Sequence, residues 1–189
     1  MKRHIATGLC LAGLGVAALS SLAVAAKAPA DRPVYSSVQE IMDSIVDPSA
    51  DVLWGAAGTV IDKDAGVQDL TPKTDEAWHD VRRAAIRMIE AGNLLAMPGR
   101  LAAPPGTKSD TPGVELEPPE ITALIRKNRK SFDAFAKALQ EAAVDARRAS
   151  EKKDVDLLMD SGTRMENVCE SCHQTFWYPH AGAPQADGQ

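Results

Sequence analysis

Cys169-Glu170-Ser171-Cys172-His173, close to the end of this 189-residue chain, is the segment most able to do chemistry. The spacing C-x-x-C-H is the attachment signature of c-type haem. On a helix, positions i, i+3 and i+4 share one face. Two thiols so placed can form thioethers with the two vinyl groups of a single haem. The adjacent His173 then offers an imidazole nitrogen to the iron as its proximal ligand. A single covalent haem c, held by Cys169, Cys172 and His173, is the expectation.

Plainer chemistries fit the same residues less well. A C-x-x-C pair can be half of a structural zinc site, but such sites want four ligands. His79 and His180 form no second paired motif, and the remaining cysteine, Cys10, lies in the leader described below. A thioredoxin-like redox pair belongs beside a βαβ pattern, and strand does not alternate with helix here. A Cys169–Cys172 disulfide would close a very short loop and stabilise little.

The other end of the chain suits a haem attached outside the cytoplasm. Met1-Lys2-Arg3 is basic, Ile5 to Leu19 is apolar, and Ala23-Val24-Ala25 offers small residues for cleavage. This three-part pattern reads as a secretory signal peptide over residues 1–26, too short for a confident membrane span. Its removal takes Cys10 with it and leaves residues 27–189 as a single domain in the periplasm. The formal net charge is −5. Loss of Lys2 and Arg3 with the leader removes two positive charges and leaves −7. An acidic surface argues against nucleic acid and anionic lipid, and for basic or neutral partners. No later stretch is apolar enough to span a bilayer.

The elements that must position the pentapeptide read as helices throughout. Val34, Val38, Ile41, Met42 and Ile45 recur at helical spacing, and Asp47-Pro48 is expected to interrupt them. Asp47 would cap a second turn opened by Pro48, with Ala50, Leu53, Trp54 and Ala57 on its apolar face. Residues 58–73 read as a loop without a β-hairpin signal. Thr74, followed by Asp75 and Glu76, begins a helix in the expected way. Its inward stripe is Trp78, Val81, Ala85, Met88, Gly92 and Leu95. Residues 98–118 are rich in proline and glycine and read as a surface excursion.

From Pro119 one long segment carries Ile121, Leu124, Ile125, Phe132, Phe135, Leu139, Ala142 and Ala146 inward. After a polar break at Ala149 to Lys153, the last helix sets Val155, Leu158, Gly162, Met165, Cys169, Cys172 and Phe176 on one stripe. The two cysteines thus continue an apolar seam, which puts the haem inside the protein. The expected fold is all-α: an antiparallel four-helix bundle with its cofactor between facing helices.

In this organisation the chain resembles the class II c-type cytochromes typified by cytochrome c′. The leader, four amphipathic helices and, above all, a C-x-x-C-H on the last helix carry the resemblance. It implies haem at Cys169 and Cys172 and iron bound by His173. It also implies a residue of the first helix on the opposite haem face, a methionine in some members and no ligand in the cytochromes c′ proper. Met42 lies where that ligand falls and is the expected distal ligand. Members often pair as homodimers through their first two helices. Where members often carry a basic residue after the haem histidine, this chain runs Gln174-Thr175-Phe176-Trp177-Tyr178-Pro179.

Other residues have ordinary roles to set against functional ones. Helical methionines are mostly core, which is the plain account of Met88, Met159 and Met165; Met97, at a helix end, could swing inward. His79 falls off its helix stripe and is expected in solvent. Trp54 and Trp78 are expected in the core, with Phe176, Trp177 and Tyr178 shielding the haem edge. Arg82, Arg83, Arg87 and Arg100 include candidates for the haem propionates.

The leading functional expectation is a non-enzymatic, exported one-electron carrier serving soluble or membrane-bound redox proteins. Histidine and methionine both stay bound in ferrous and ferric states, which limits reorganisation. The second is a five-coordinate haem that binds nitric oxide or carbon monoxide. A peroxidase would need polar distal groups, and the first-helix stripe offers Val38, Ile41, Met42 and Ile45.

Overall fold

The computed structural model describes residues 33–64 and 66–179; the signal-peptide expectation and His180 lie outside them. The described chain is mostly helical. A short helix α1 (Val38–Ile41) passes through a π-helical turn (Met42–Val46) into α2 (Asp47–Trp54). Ser37 and Glu40 open α1 with a reciprocal cap: the Glu40 N–H donates to Ser37 Oγ at 3.2 Å, and the Ser37 N–H donates to Glu40 Oε2 at 2.7 Å.

The interruption expected at Asp47-Pro48 is not a break. Pro48 has no N–H to give to the preceding turn, and the helix absorbs this by widening. The Asp47 N–H reaches back to the Met42 carbonyl, the five-residue step of a π turn. Asp47 therefore continues a helix instead of capping one. The extra residue also turns the inward face: Val46 is fully buried, while Ile45 is only partly so. Trp54, expected in the core, stands 41% exposed.

Residues 58–73 are likewise not simply loop. Strands β1 (Thr59–Asp62) and β2 (Gly66–Asp69) form an antiparallel hairpin in the register Val60↔Gln68 and Ile61↔Val67. Val60, Ile61 and Val67 are β-branched and suit extended backbone, and Gly66 supplies a turn conformation at φ +72°. Four-residue strands exposed on both faces carry little burial pattern, so the surrounding Gly, Asp and Lys hide them.

Helix α3 (Asp75–Leu95) matches its expectation. Thr74 Oγ1 accepts from the Ala77 N–H at 3.2 Å, and Trp78, Val81, Ala85, Met88, Gly92 and Leu95 are all buried. The segment expected to be continuous from Pro119 is two helices, α4 (Pro118–Lys127) and α5 (Arg129–Lys152). Asn128 leaves helical geometry at φ −115°, ψ 39°, and its side-chain amide donates to the Leu124 carbonyl at 3.2 Å. Such local side-chain bonding competes with helix continuation. Phe132 and Leu139 are buried as expected; Phe135 is only partly buried. Lys153, in the left-handed region at φ 56°, ends α5, and Asp154 caps α6 (Val155–Phe176) through the Leu157 N–H at 3.0 Å.

Side-chain pairs fix how these helices run. Lys153 meets Asp75 at 2.5 Å at one end of α3 and α5, and Arg129 donates to the Ala96 carbonyl at 2.5 Å at the other. Those two helices are therefore antiparallel. Helices α5 and α6 are antiparallel too: Phe132 meets Phe176 edge-to-face at 5.4 Å, and Asp145 pairs with Arg164 at 2.6 Å. On the other side of α6, Trp54 Nε1 donates to the Gly162 carbonyl at 3.4 Å. Arg87 Nε donates to Ser49 Oγ at 3.1 Å, joining α3 to α2.

The proline-rich segment 98–118 is not a free excursion. Its Leu101 and Ala102 carbonyls accept the Val38 and Gln39 N–H groups, each at 2.8 Å, satisfying donors at the start of α1. Further on, the Leu116 N–H donates to the Trp177 carbonyl at 2.9 Å, just beyond α6. Ala102 and Ala103 are buried, and so is Arg100, which donates to the Leu94 and Ser36 carbonyls. The segment ties together the two helix ends that flank the site. Among the described residues, no helix is long and apolar enough to cross a membrane.

Candidate functional site

The last two turns of α6 carry Cys169, Cys172 and His173 toward the first helix and α5. Cys172 and His173 line a cavity of about 230 Å³ together with Val38, Met42, Phe132 and Phe176. Cys169, Cys172 and His173 line a second, of about 110 Å³, with Met42, Ala50, Phe132 and Leu139. Met42, Asp47, Phe132, Cys172 and His173 belong to both. The two cavities are lobes of one cleft between the first helix, α5 and α6. Its walls are mainly apolar, with Gln39, Asp47, Glu115, His173 and Tyr178 as polar members of the larger lobe.

The thiols are free and partly buried. Burial pushes Cys172 up to about 12, with Cys169 adding to the shift; burial, and then Asp47, raises Cys169 as well. Neither is a ready thiolate. Reactive dithiols sit in electropositive settings such as helix N-termini, which lower the thiol pKa; these two lie deep in a helix beside carboxylates. The His173 ring takes up no hydrogen bond among the described residues and stands 6.1 Å, centroid to centroid, from Tyr178. Tyr178 is fixed by its hydroxyl, which donates to Glu170 Oε2 at 2.7 Å; Gln174 donates to Glu170 Oε1 at 2.6 Å.

Met42 reaches this cleft from the residue that opens the π turn. Helix widenings of this kind occur often at functional sites, and this one sets both Met42 and Asp47 on the cleft. The other described methionines are elsewhere. Met88 and Met165 are fully buried core, and Met159 is exposed. Met97 accepts from Arg100 Nη2 at 3.8 Å.

None of the four candidate arginines lines the cleft. Arg82 faces Glu151 at 3.8 Å, Arg83 engages Glu76 and Asp80, and Arg87 and Arg100 make the internal contacts given above. His79 is exposed beside Arg83, as expected. Trp78 is core; Trp54 and Trp177 border the cleft.

Asp47 and Glu115 are the residues that sequence reasoning missed. Burial raises the Asp47 carboxyl above its usual range, opposed by His173 and reinforced by Asp51 and Asp43. An Asp before a Pro reads as a cap, and a π turn carries no pattern that would correct this. Glu115 arrives on the proline-rich segment, where there is no periodicity to read. Among the described residues, no group of three or more His, Cys, Asp or Glu converges as a metal site.

No protein-family model, no curated protein and no solved structure matches the chain.

Proposed function

We propose that this chain is a monohaem c-type cytochrome of the class II kind, a four-helix bundle that carries single electrons in the periplasm. Four antiparallel helical runs, closed by contacts from α2 through α3 and α5 to α6 and back to α2, support the bundle. The observation that carries the reading is the meeting of Cys172 and His173 with Met42 on one apolar cleft. The donor set suits a haem: two neutral thiols for thioethers, an imidazole free of hydrogen bonds among the described residues, and a thioether from the facing helix. A haem there would supply reversible one-electron chemistry at iron.

This chain's own residues do the rest. With a haem bound, Cys169 and Cys172 would anchor the macrocycle, and His173 on α6 and Met42 on the first helix would hold the iron. Phe132 and Phe176, in edge-to-face contact, exclude water from one side. Both candidate ligands stand on helical segments, which would limit their movement between redox states. The absorption spectrum of the ferric protein tests the reading. Six-coordinate low-spin haem is expected, and five-coordinate high-spin haem would replace electron transfer with binding of nitric oxide or carbon monoxide.

A further inference from the structure

The two helical runs that frame the cleft are charged on one side only. From Pro33 to Asp62 the chain contains five acidic residues and no Lys or Arg, and from Met165 onward it contains no Lys or Arg. Asp43, Asp47 and Asp51 follow one another at four-residue steps on the exposed side of the first helix, and Trp54 comes three residues later. Across the cleft, α6 exposes Glu166 and Glu170. The two sides are close enough to share a field: Asp47 and Glu166 both act on Cys169.

Elsewhere on the surface several acids meet a lysine or arginine, as in Lys73–Asp69, Arg83–Glu76 and Lys137–Glu141. Asp43, Asp47, Asp51, Glu166 and Glu170 form no ion pair among the described residues. Between the two acidic edges lies the apolar cleft, and at its end the exposed indole of Trp54, a residue type enriched at binding hot spots. Unpaired like charges around an apolar centre repel each other until an opposite surface covers them.

We infer that this face, formed by the first helix and the Gly162–Glu170 stretch of α6, is a docking surface for a protein with a lysine-rich patch. The acids steer the approach and Trp54 makes an apolar contact at the end of the cleft. The inference rests on the haem reading only for the partner's redox character. Its test reads binding, so failed docking and absent haem are separate results.

The full-length protein, with its cleft as purified, is titrated with a synthetic lysine octapeptide at low salt and followed by amide NMR shifts. Shifts are expected on the Asp43–Trp54 and Gly162–Glu170 stretches, fading as salt is raised. A D43N/D51N/E166Q variant should bind about tenfold more weakly, at a few tenths of a kcal/mol or more per exposed charge. A control variant, D69N/E76Q/E141Q, loses the same charge elsewhere and should bind as the parent does. Equal weakening of both variants, or shifts spread over every acidic face, would overturn the inference. So would spermine binding the same residues as tightly as the peptide, which would mark a small-cation site.

Discussion

Replacing Gly92 by alanine should destabilise the protein although alanine is the better helix former. Gly92 lies in α3 where α5 crosses closely. A Cβ there would stand 2.3 Å from Gln140 Cγ, 2.8 Å from Gln140 Cδ and 3.0 Å from the Ala136 carbonyl oxygen. Gln140 is not free to leave without loss. Its amide donates to the Ile89 carbonyl at 2.9 Å and to Asn93 Oδ1 at 2.8 Å. Swinging it outward forfeits both bonds, about 0.5–1.5 kcal/mol each. Keeping it in place pushes two helices apart, an overpacking cost of about 1–3 kcal/mol. Against either stands the helix-propensity gain of about 1 kcal/mol. The net expectation is a loss of up to about 2 kcal/mol, read as a lower midpoint in denaturant at unchanged slope. In a G92A/Q140A double variant the clash with Gln140 is gone and only the Ala136 carbonyl stays close, so the penalty of G92A should shrink or reverse. A G92A protein more stable than the parent by the full propensity gain of about 1 kcal/mol would refute the close α3–α5 packing.

Two further predictions concern the site. Burial, with the hydrogen bond to Glu170, pushes the Tyr178 hydroxyl up to about 12 from its ordinary 10. The folded state thus holds this proton more tightly than the unfolded one, so the associated stability is complete below about pH 10 and is lost as pH rises toward 12. NMR of labelled tyrosine should show one ring, absent in Tyr178→Phe, ionising near 12; ionisation at the ordinary value would remove the Tyr178–Glu170 clip from the account. Met42→Ala should remove the weak sulfur-to-iron band at the red end of the ferric spectrum, lower the potential and open the iron to carbon monoxide. An unchanged spectrum would make Met42 a wall of the cleft and not a ligand.

That Cys169, Cys172 and His173 come together on one wall of the cleft was legible because C-x-x-C-H spacing sets them on one face of a helix, and that spacing is local in sequence. Helix α3 was legible for a similar reason: one cap at Thr74 and one unbroken stripe specify it. What escaped depends on contacts between distant segments or on small backbone adjustments. The π turn at Met42 preserves helix through Pro48, so its only trace is the exchange of Ile45 for Val46 in the core. Asn128 breaks a helix while the apolar face continues past it, which leaves periodicity blind to the break. The 98–118 segment earns its place through backbone groups of Leu101, Ala102 and Leu116, and backbone groups have no sequence signature. Trp54 looked like core because it is apolar at the right spacing; its indole instead lies across α6 at Gly162 and is exposed.

Covalent haem is the point on which the account turns, and the mass of the purified protein tests it most directly. The intact polypeptide should be heavier than its sequence by one haem, the haem should stay with the protein through acid–acetone extraction, and Cys169→Ala with Cys172→Ala should release it. A chain at its bare polypeptide mass, or a haem that extracts freely from the parent protein, would contradict the account.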